Sequence, residues 1–371
     1  MVKLATQLVQ GTNGSDDQNT GAVVPPLYLS TAFRHPALGQ STGYDYSRLT
    51  TPTRALLETQ LATIEHGTHA FAVSSGMAAI DLVFSTFTKT GDHFIASDDL
   101  YGGSFRYFDE RAERYQIPYD TWDGVDVDAL LLAIRPNTRL IWLETPSNPT
   151  MKVIDIEAVS SAVHAVRPDI LIAVDNTFLT PIYQQPLTLG ADVVVHSATK
   201  YLGGHNDILA GAVITGDDTL GENLSQQLTT TGQNLDPFDA WLLIRSLKTL
   251  NIRMHAHTDN ARILAKHLEA TPGVDRVLYA GVGGMISFYL NDHYAVDQFL
   301  QNLKVGSFAE SLGSVETLIT IPAIQTHHDM PQSQREALGI LDNLIRVSVG
   351  LEDAQDITDD FDQAIAGAKK E

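Results

Sequence analysis

Apolar runs recur along the chain at 70–74, 93–97, 140–144, 171–176, 193–197 and 210–215, with helix-spaced stretches between most of them. Several runs are apolar on both faces. That alternation predicts an open, mainly parallel α/β sheet whose ligands gather at the carboxyl ends of the strands. From 236 to 270 the spacing of Trp241, Leu242, Ile244, Leu247 and Leu250 predicts a long helix or helix pair, closed by Pro272-Gly273. Strand patterns at 285–290 and 344–349 and helix patterns at 295–303 and 358–368 then predict a smaller α+β carboxyl domain. The first 50 residues, rich in Thr, Gly, Ser, Asn and Pro, show little periodicity and would lie across another surface. The chain divides on this reading into 1–50, 51–235 and 236–371.

A length of 371 residues with 43% hydrophobic content agrees with more than one core. No apolar run approaches the roughly 18 residues of a membrane helix, and the amino-terminal residues lack a secretory apolar region, so the expected address is cytoplasmic. Cysteine is absent, which excludes disulfides, thiolate metal sites and a cysteine nucleophile. A net charge of -21 argues against nucleic acid and anionic membrane surfaces as partners. A small-molecule substrate fits better. The acidic stretch 352–362 reads as a solvated helix face.

Chemistry concentrates at strand ends. Asp192-Val-Val-Val-His-Ser-Ala-Thr-Lys200 delivers one lysine flanked by the hydroxyls of Ser197 and Thr199, and the preceding run ends in Asp175. Neighbouring parallel strands would present both at one edge. The pair suits pyridoxal phosphate, which needs an amine to hold its aldehyde as a Schiff base and an anion to keep its ring nitrogen protonated. Ser74-Ser75-Gly76-Met77 opens an apolar helix after a strand and offers backbone N–H groups to a phosphate. In Glu144-Thr-Pro-Ser-Asn148-Pro149, two prolines hold the chain extended around Asn148. Tyr101-Gly102-Gly103 sets an aromatic ring beside two glycines that would admit a flat ligand.

Other motifs lose on order or context. Ser197-Ala-Thr-Lys200 and Lys89-Thr90-Gly91 match the S-x-x-K and K-T-G of serine acyl enzymes, but in reversed order and without S-D-N. Gly39-Gln-Ser41-Thr-Gly43 has the nucleophile-elbow pattern without the strand and helix it requires. Gly281-Val-Gly283-Gly284 lacks dinucleotide-loop spacing. His327-His328 reads as a surface pair, since adjacent side chains point apart.

Taken together the segments resemble the Cys/Met metabolism family of pyridoxal-phosphate enzymes, the group of cystathionine γ-lyase, cystathionine γ-synthase and methionine γ-lyase. The matching stretches run almost end to end: Asp17-Gln-Asn-Thr20-Gly21-Ala22-Val-Val-Pro25-Pro26, Tyr44-Asp-Tyr46-Ser47-Arg48, Ser75-Gly76-Met77, Tyr101-Gly102-Gly103, Ser147-Asn148-Pro149, Val174-Asp175-Asn176-Thr177, Ser197-Ala-Thr-Lys200-Tyr201, Pro237-Phe-Asp-Ala-Trp241 and Ile345-Arg346-Val-Ser-Val-Gly350. The resemblance implies fold type I: a large domain around a mainly parallel seven-stranded sheet, and a smaller α+β carboxyl domain. It implies that Lys200 carries the cofactor, Asp175 pairs with the ring nitrogen, and Tyr101 stacks on the ring and assists proton transfer. Ser75, Gly76, Met77, Ser197 and Thr199 would hold the phosphate, completed by Tyr46 and Arg48 of a neighbouring subunit. The chain is then a homo-oligomer, an active-site-sharing dimer usually paired into a tetramer, with residues 1–50 as the intersubunit arm. Asn148 would bind the ring hydroxyl and, with Arg346, the substrate carboxylate.

Within the family, Gly103 stands where methionine γ-lyases carry cysteine. Asp45 and Glu310, the latter followed by Ser311-Leu312, stand where cystathionine-handling relatives carry acids that could receive a distal ammonium. Arg106 matches lyases and synthases alike. Leu49 replaces the second arginine expected of a synthase that binds an acyl group. Thr51-Pro52-Thr53 and Val9-Gln10-Gly11 depart from the family's N-P-T and V-H-A-G. The expectation is a lyase that cleaves cystathionine by α,γ-elimination to cysteine, 2-oxobutyrate and ammonia. Cystathionine γ-synthase, another O-acylhomoserine γ-replacement enzyme or β-lyase is the alternative, and a non-catalytic regulatory protein of the same fold is the reading from a different class.

Overall fold

A computed structural model describes residues 2–11 and 20–370; Asp17, Gln18 and Asn19 of the resemblance lie outside the described residues. Seven strands, β1 (His69–Val73), β2 (His93–Ser97), β3 (Tyr119–Trp122), β4 (Thr138–Glu144), β5 (Leu171–Asp175), β6 (Val193–His196) and β7 (Gly211–Thr215), form one mixed sheet in the order β1-β7-β6-β5-β4-β2-β3. The strands β8 (Val274–Tyr279), β9 (Met285–Leu290), β10 (Ser307–Phe308), β11 (Leu318–Thr320) and β12 (Leu344–Ser348) form a second sheet in the order β10-β11-β12-β9-β8. The expected α/β architecture is therefore present, with antiparallel pairing in the first sheet at β1–β7 and β6–β7 and parallel pairing at β2–β3, β2–β4 and β5–β6.

The chain forms two compact units, Met1–Lys89 with Leu171–Asn251 and Thr90–Ile170 with Ile252–Glu371. In the first, β5 and β6 run parallel with Asp175 opposite Val195, and Val193, Val194 and Val195 are fully buried, as a central strand requires. The helices start where the sequence supplies caps: the side chains of Thr51, Ser75 and Asp217 accept from Arg54, Ala78 and Leu220 N–H respectively, each cap contributing about 1 kcal/mol. The predicted helix at 236–270 is a pair, Pro237–Leu247 and Leu250–Ala270.

The described residues of the amino-terminal segment are more ordered than its composition predicts. A helix spans Leu4–Gln10 with Leu8 buried. Gln60 Nε2 donates to the Leu8 carbonyl at 2.9 Å, Lys248 Nζ to Val9 at 2.7 Å and Trp241 Nε1 to Pro25 at 3.0 Å, so side chains of the first unit tie the segment down.

In the second unit, β2 pairs in parallel with β3 and β4. Phe288, Phe299 and Phe361 pack edge-on or tilted against one another in the core of the five-stranded sheet. The acidic tail is not simply a solvated face. Asp360 is buried and accepts three backbone N–H groups, from Lys304, Val305 and Gly306. Glu352 takes the N–H and hydroxyl of Thr317. Orphan backbone donors, not solvent, explain these acids.

Candidate active site

In the first unit the strand ends gather the residues of the lysine segment. Ser75 caps the helix Gly76–Phe87, and a Cβ added at Gly76 would lie 2.7 Å from Ser197 Cβ. Only glycine allows the helix start and the end of β6 to meet this closely. Thr199 Oγ1 exchanges hydrogen bonds with the Ala210 backbone at 3.0 and 3.1 Å, and the Lys200 N–H donates to Ser197 O at 3.1 Å. The turn that carries the partly buried Lys200 is thus fixed by its own neighbours. Met77 lies in the first turn of the helix.

Asp175 accepts the Thr177 N–H at 3.0 Å. Removal from water pushes its carboxyl above the usual range, against the pull of the Thr177 hydrogen bonds and of His196. A cation set beside it would return it to the ionised form. A close-packed helix start with unpaired N–H groups, hydroxyls at the neighbouring strand end, an amine and a desolvated carboxylate fit the phosphate, aldehyde and pyridinium of pyridoxal phosphate. Behind Asp175, the buried Glu65 receives Asn176 Nδ2 at 3.0 Å and pairs with His196 Nε2 at 2.6 Å.

The second unit brings together Tyr101, Asn148 and Arg346. Arg346, on β12 and 2% exposed, donates to Asn148 Oδ1 at 3.0 Å, to Ser311 O at 3.1 Å and to Thr320 Oγ1 at 3.1 Å. Ser311 adopts a φ of 125°, unusual for a non-glycine residue, as it turns that carbonyl to the guanidinium. Asn148 is itself buried between two cis prolyl bonds, Thr145-Pro146 and Asn148-Pro149. Asp99 holds this strand end, accepting the hydroxyls of Ser147 and Thr150 and the Thr150 N–H; burial raises its carboxyl. In return the Glu144 carboxylate, at the end of β4, accepts the Tyr101 N–H at 3.0 and 3.2 Å.

The protein itself leaves no room for a side chain at either glycine after Tyr101. A Cβ on Gly102 would collide with the Thr326 carbonyl and one on Gly103 with the Tyr101 ring. His327 corrects an expectation: it is 1% exposed, with Nε2 2.9 Å from Leu100 O, while His328 alone is at the surface. Burial lowers the His327 imidazole to about 4.

The remaining candidates, Leu312 apart, are exposed. Tyr46 lies under the Arg48 guanidinium, which donates to Thr229 O at 2.6 Å. Asp45 is held by Ser41 at 2.7 Å and His35 at 2.8 Å. Arg106 pairs with Asp329 at 2.7 Å on the surface of the helix Gly102–Tyr115. Glu310 is exposed and Leu312 buried. Asp99, Glu144, Glu65 and His327 are the residues that sequence reasoning left without a role. The signal for Asp99 and Glu144 was their place at strand ends among polar neighbours; Glu65 and His327 offered no local signal.

Comparison with known proteins extends the match beyond these residues. A family described as Cys/Met metabolism PLP-dependent enzyme matches residues 5–366. The cystathionine γ-synthase/O-acetylhomoserine (thiol)-lyase of Bacillus subtilis (strain 168) is 48% identical over 365 residues, covering 98% of this chain and 97% of the relative. The cystathionine β-lyase of Lactococcus lactis subsp. cremoris (strain MG1363) is 44% identical over 381 residues, covering 98% and 99%. The crystal structure of cystathionine γ-lyase from Lactobacillus plantarum complexed with L-serine superposes with a TM-score of 0.95 at 41% identity, over 99% of both chains.

Proposed function

The chain belongs to the Cys/Met metabolism family of PLP-dependent enzymes, with pyridoxal 5'-phosphate as its cofactor, and on that premise we propose that it cleaves cystathionine by α,γ-elimination. The overall change takes cystathionine and water to cysteine, 2-oxobutyrate and ammonia. The observation that carries the amino-acid reading is the buried Arg346, whose guanidinium is set by Asn148, Thr320 and the Ser311 carbonyl. A planar guanidinium so held is suited to a substrate carboxylate.

Bound at the strand ends, the cofactor supplies an electron-withdrawing ring that acidifies substrate carbons α and β to nitrogen. Lys200 is the base we assign to both: its amine removes the proton at Cα, then one at Cβ. Tyr101 supports the ring face and, with Lys200, returns a proton to the departing sulfur. Asp175 stays anionic against the ring nitrogen. Gly76, Met77, Ser75, Ser197 and Thr199 hold the phosphate, and Tyr46 and Arg48 act on the site of a second copy. Arg106, Asn148, Ser311 and Leu312 complete the substrate contacts. The reading includes a homo-oligomer in the cytoplasm and the division into an arm, a cofactor domain and a carboxyl domain.

Asp45 and Glu310 support cystathionine as the substrate, since each offers an exposed carboxylate to a distal ammonium. A γ-replacement activity is the second reading, favoured by the 48% identity to the Bacillus subtilis synthase. Product analysis with cystathionine, and with O-acetylhomoserine plus cysteine, separates them. Release of 2-oxobutyrate and cysteine supports γ-elimination; homocysteine and pyruvate alone would overturn it, and faster formation of cystathionine than its cleavage would assign the synthase.

A further inference from the structure

His327 sits where the parts of the second unit's site converge, yet it has no part in the chemistry proposed above. Its ring is buried. Nε2 lies 2.9 Å from the Leu100 carbonyl, the residue before Tyr101, and Nδ1 lies 2.8 Å from Thr326 Oγ1. A carbonyl only accepts, so Nε2 carries the proton and Nδ1 receives the threonine hydroxyl. The His327 backbone N–H donates to the Pro322 carbonyl at 2.9 Å, two residues beyond Thr320, whose hydroxyl accepts from Arg346, and the ring lies in the field of that guanidinium. A protonated imidazole would repel that guanidinium, consistent with the neutral form. The same segment reaches the tyrosine by a second route, through the Thr326 carbonyl that occupies the space a side chain at Gly102 would need.

We propose that His327 is a positioning residue whose neutral Nε2–H tautomer fastens the Leu100–Tyr101 turn to its own segment, 320–327, which holds Arg346 through Thr320, so that ring support and carboxylate anchor are set as one piece. This deepens the reading that Tyr101 and Arg346 serve an amino-acid substrate and rests on it. Hydrogen bonding alone does not make a buried histidine functional; the joint tie to two site segments distinguishes this one. A glutamine at 327 can place an amide N–H near the Nε2 position, and Thr326→Val removes the hydroxyl that orients the ring.

The test uses cofactor-loaded full-length protein. L-Alanine, which has no group to eliminate, is titrated against the near-visible band, and KM and kcat for cystathionine are measured separately. His327→Ala should keep cofactor stoichiometry while weakening L-alanine binding and raising KM at least about tenfold, with His327→Gln restoring most of the loss. Thr326→Val should fall between them, and it carries the test if His327→Ala fails to fold. Wild-type affinity and KM in His327→Ala, or equal impairment in His327→Gln and His327→Ala, overturns the proposal. Nitrogen NMR of the imidazole gives a readout independent of turnover: a neutral, slowly exchanging Nε2–H is expected, and an Nδ1–H tautomer or a cationic ring overturns the assignment. Wild-type protein with that tautomer but no response to amino acids would instead overturn the substrate reading, and with it the functional half of this proposal.

Discussion

The lysine segment in the first unit and the arginine segment in the second are built by different means. Around Lys200 the shape comes from backbone: a capped helix start, a glycine that lets two segments touch, and a turn closed by Thr199 and Ala210. Around Arg346 it comes from side chains that cross long stretches of sequence, with Asp99, Glu144 and His327 holding the ends of other elements. A backbone-shaped site tolerates change in its side chains but not added volume. A side-chain network tolerates volume at its rim but not the loss of a donor or acceptor.

The largest test of this contrast is Lys200→Ala, which should remove the near-visible band and lower 2-oxo acid release by at least about 10³-fold. Arg346→Lys should behave in the opposite sense: the band stays, while KM for cystathionine rises by about 10²-fold because a point charge cannot replace the fork. Equal loss of the band in both would erase the distinction. Gly76→Ala should come next, since its Cβ meets Ser197. Cofactor affinity measured by equilibrium dialysis should fall about tenfold, with KM unchanged once the protein is saturated.

Stability against pH should also separate the units. His327 and His257, both in the second unit, are lowered to about 4 by burial. The unfolded chain protonates them below about 6.5 whereas the fold resists until about 4, so stability present above 6.5 is lost as pH falls, by up to roughly 3 kcal/mol each. Glu58 in the first unit is raised to about 7 by burial. It favours the fold most at low pH, and that contribution disappears as pH rises from about 4.5 through 7. Thermal melts should show His257→Asn flattening the acid limb and Glu58→Gln the rise-side limb; the reverse assignment would break the comparison. The smallest effect is expected at Glu144. Glu144→Gln, which can still accept the Tyr101 N–H, should change kcat by less than about threefold, and Glu144→Ala by about tenfold.

Much of the first segment was legible because its members are close in sequence. Asp175 and Lys200 end consecutive apolar runs, and strand alternation alone places them at one sheet edge. The partners of Arg346 were not legible in that way: Asn148 is 198 positions distant, and no periodicity links them. The resemblance, not the pattern, joined the two. His327-His328 shows the same limit, since alternation tells that adjacent side chains diverge but not which one is covered. Asp360 was misread for a related reason: a carboxylate that satisfies backbone donors looks, in one dimension, like a solvated one. Short or partly exposed strands such as β3, β8, β10 and β11 carried too little apolar signal to be seen.

Arg346 occupies β12, paired on one side with β11 and on the other with β9, whereas Glu310 and Ser311 lie in the irregular segment beyond β10. The ladder on both flanks leaves the arginine little freedom to drift under mutation, while in the adjoining segment Glu310 is exposed and lies between the backbone ties of Ala309 to β11 and of Ser311 to Arg346. On the proposed reading this divides labour for protein engineering: substitute the exposed Glu310 to redirect which bond is broken, and leave Arg346 and the Ser311 carbonyl that holds it alone.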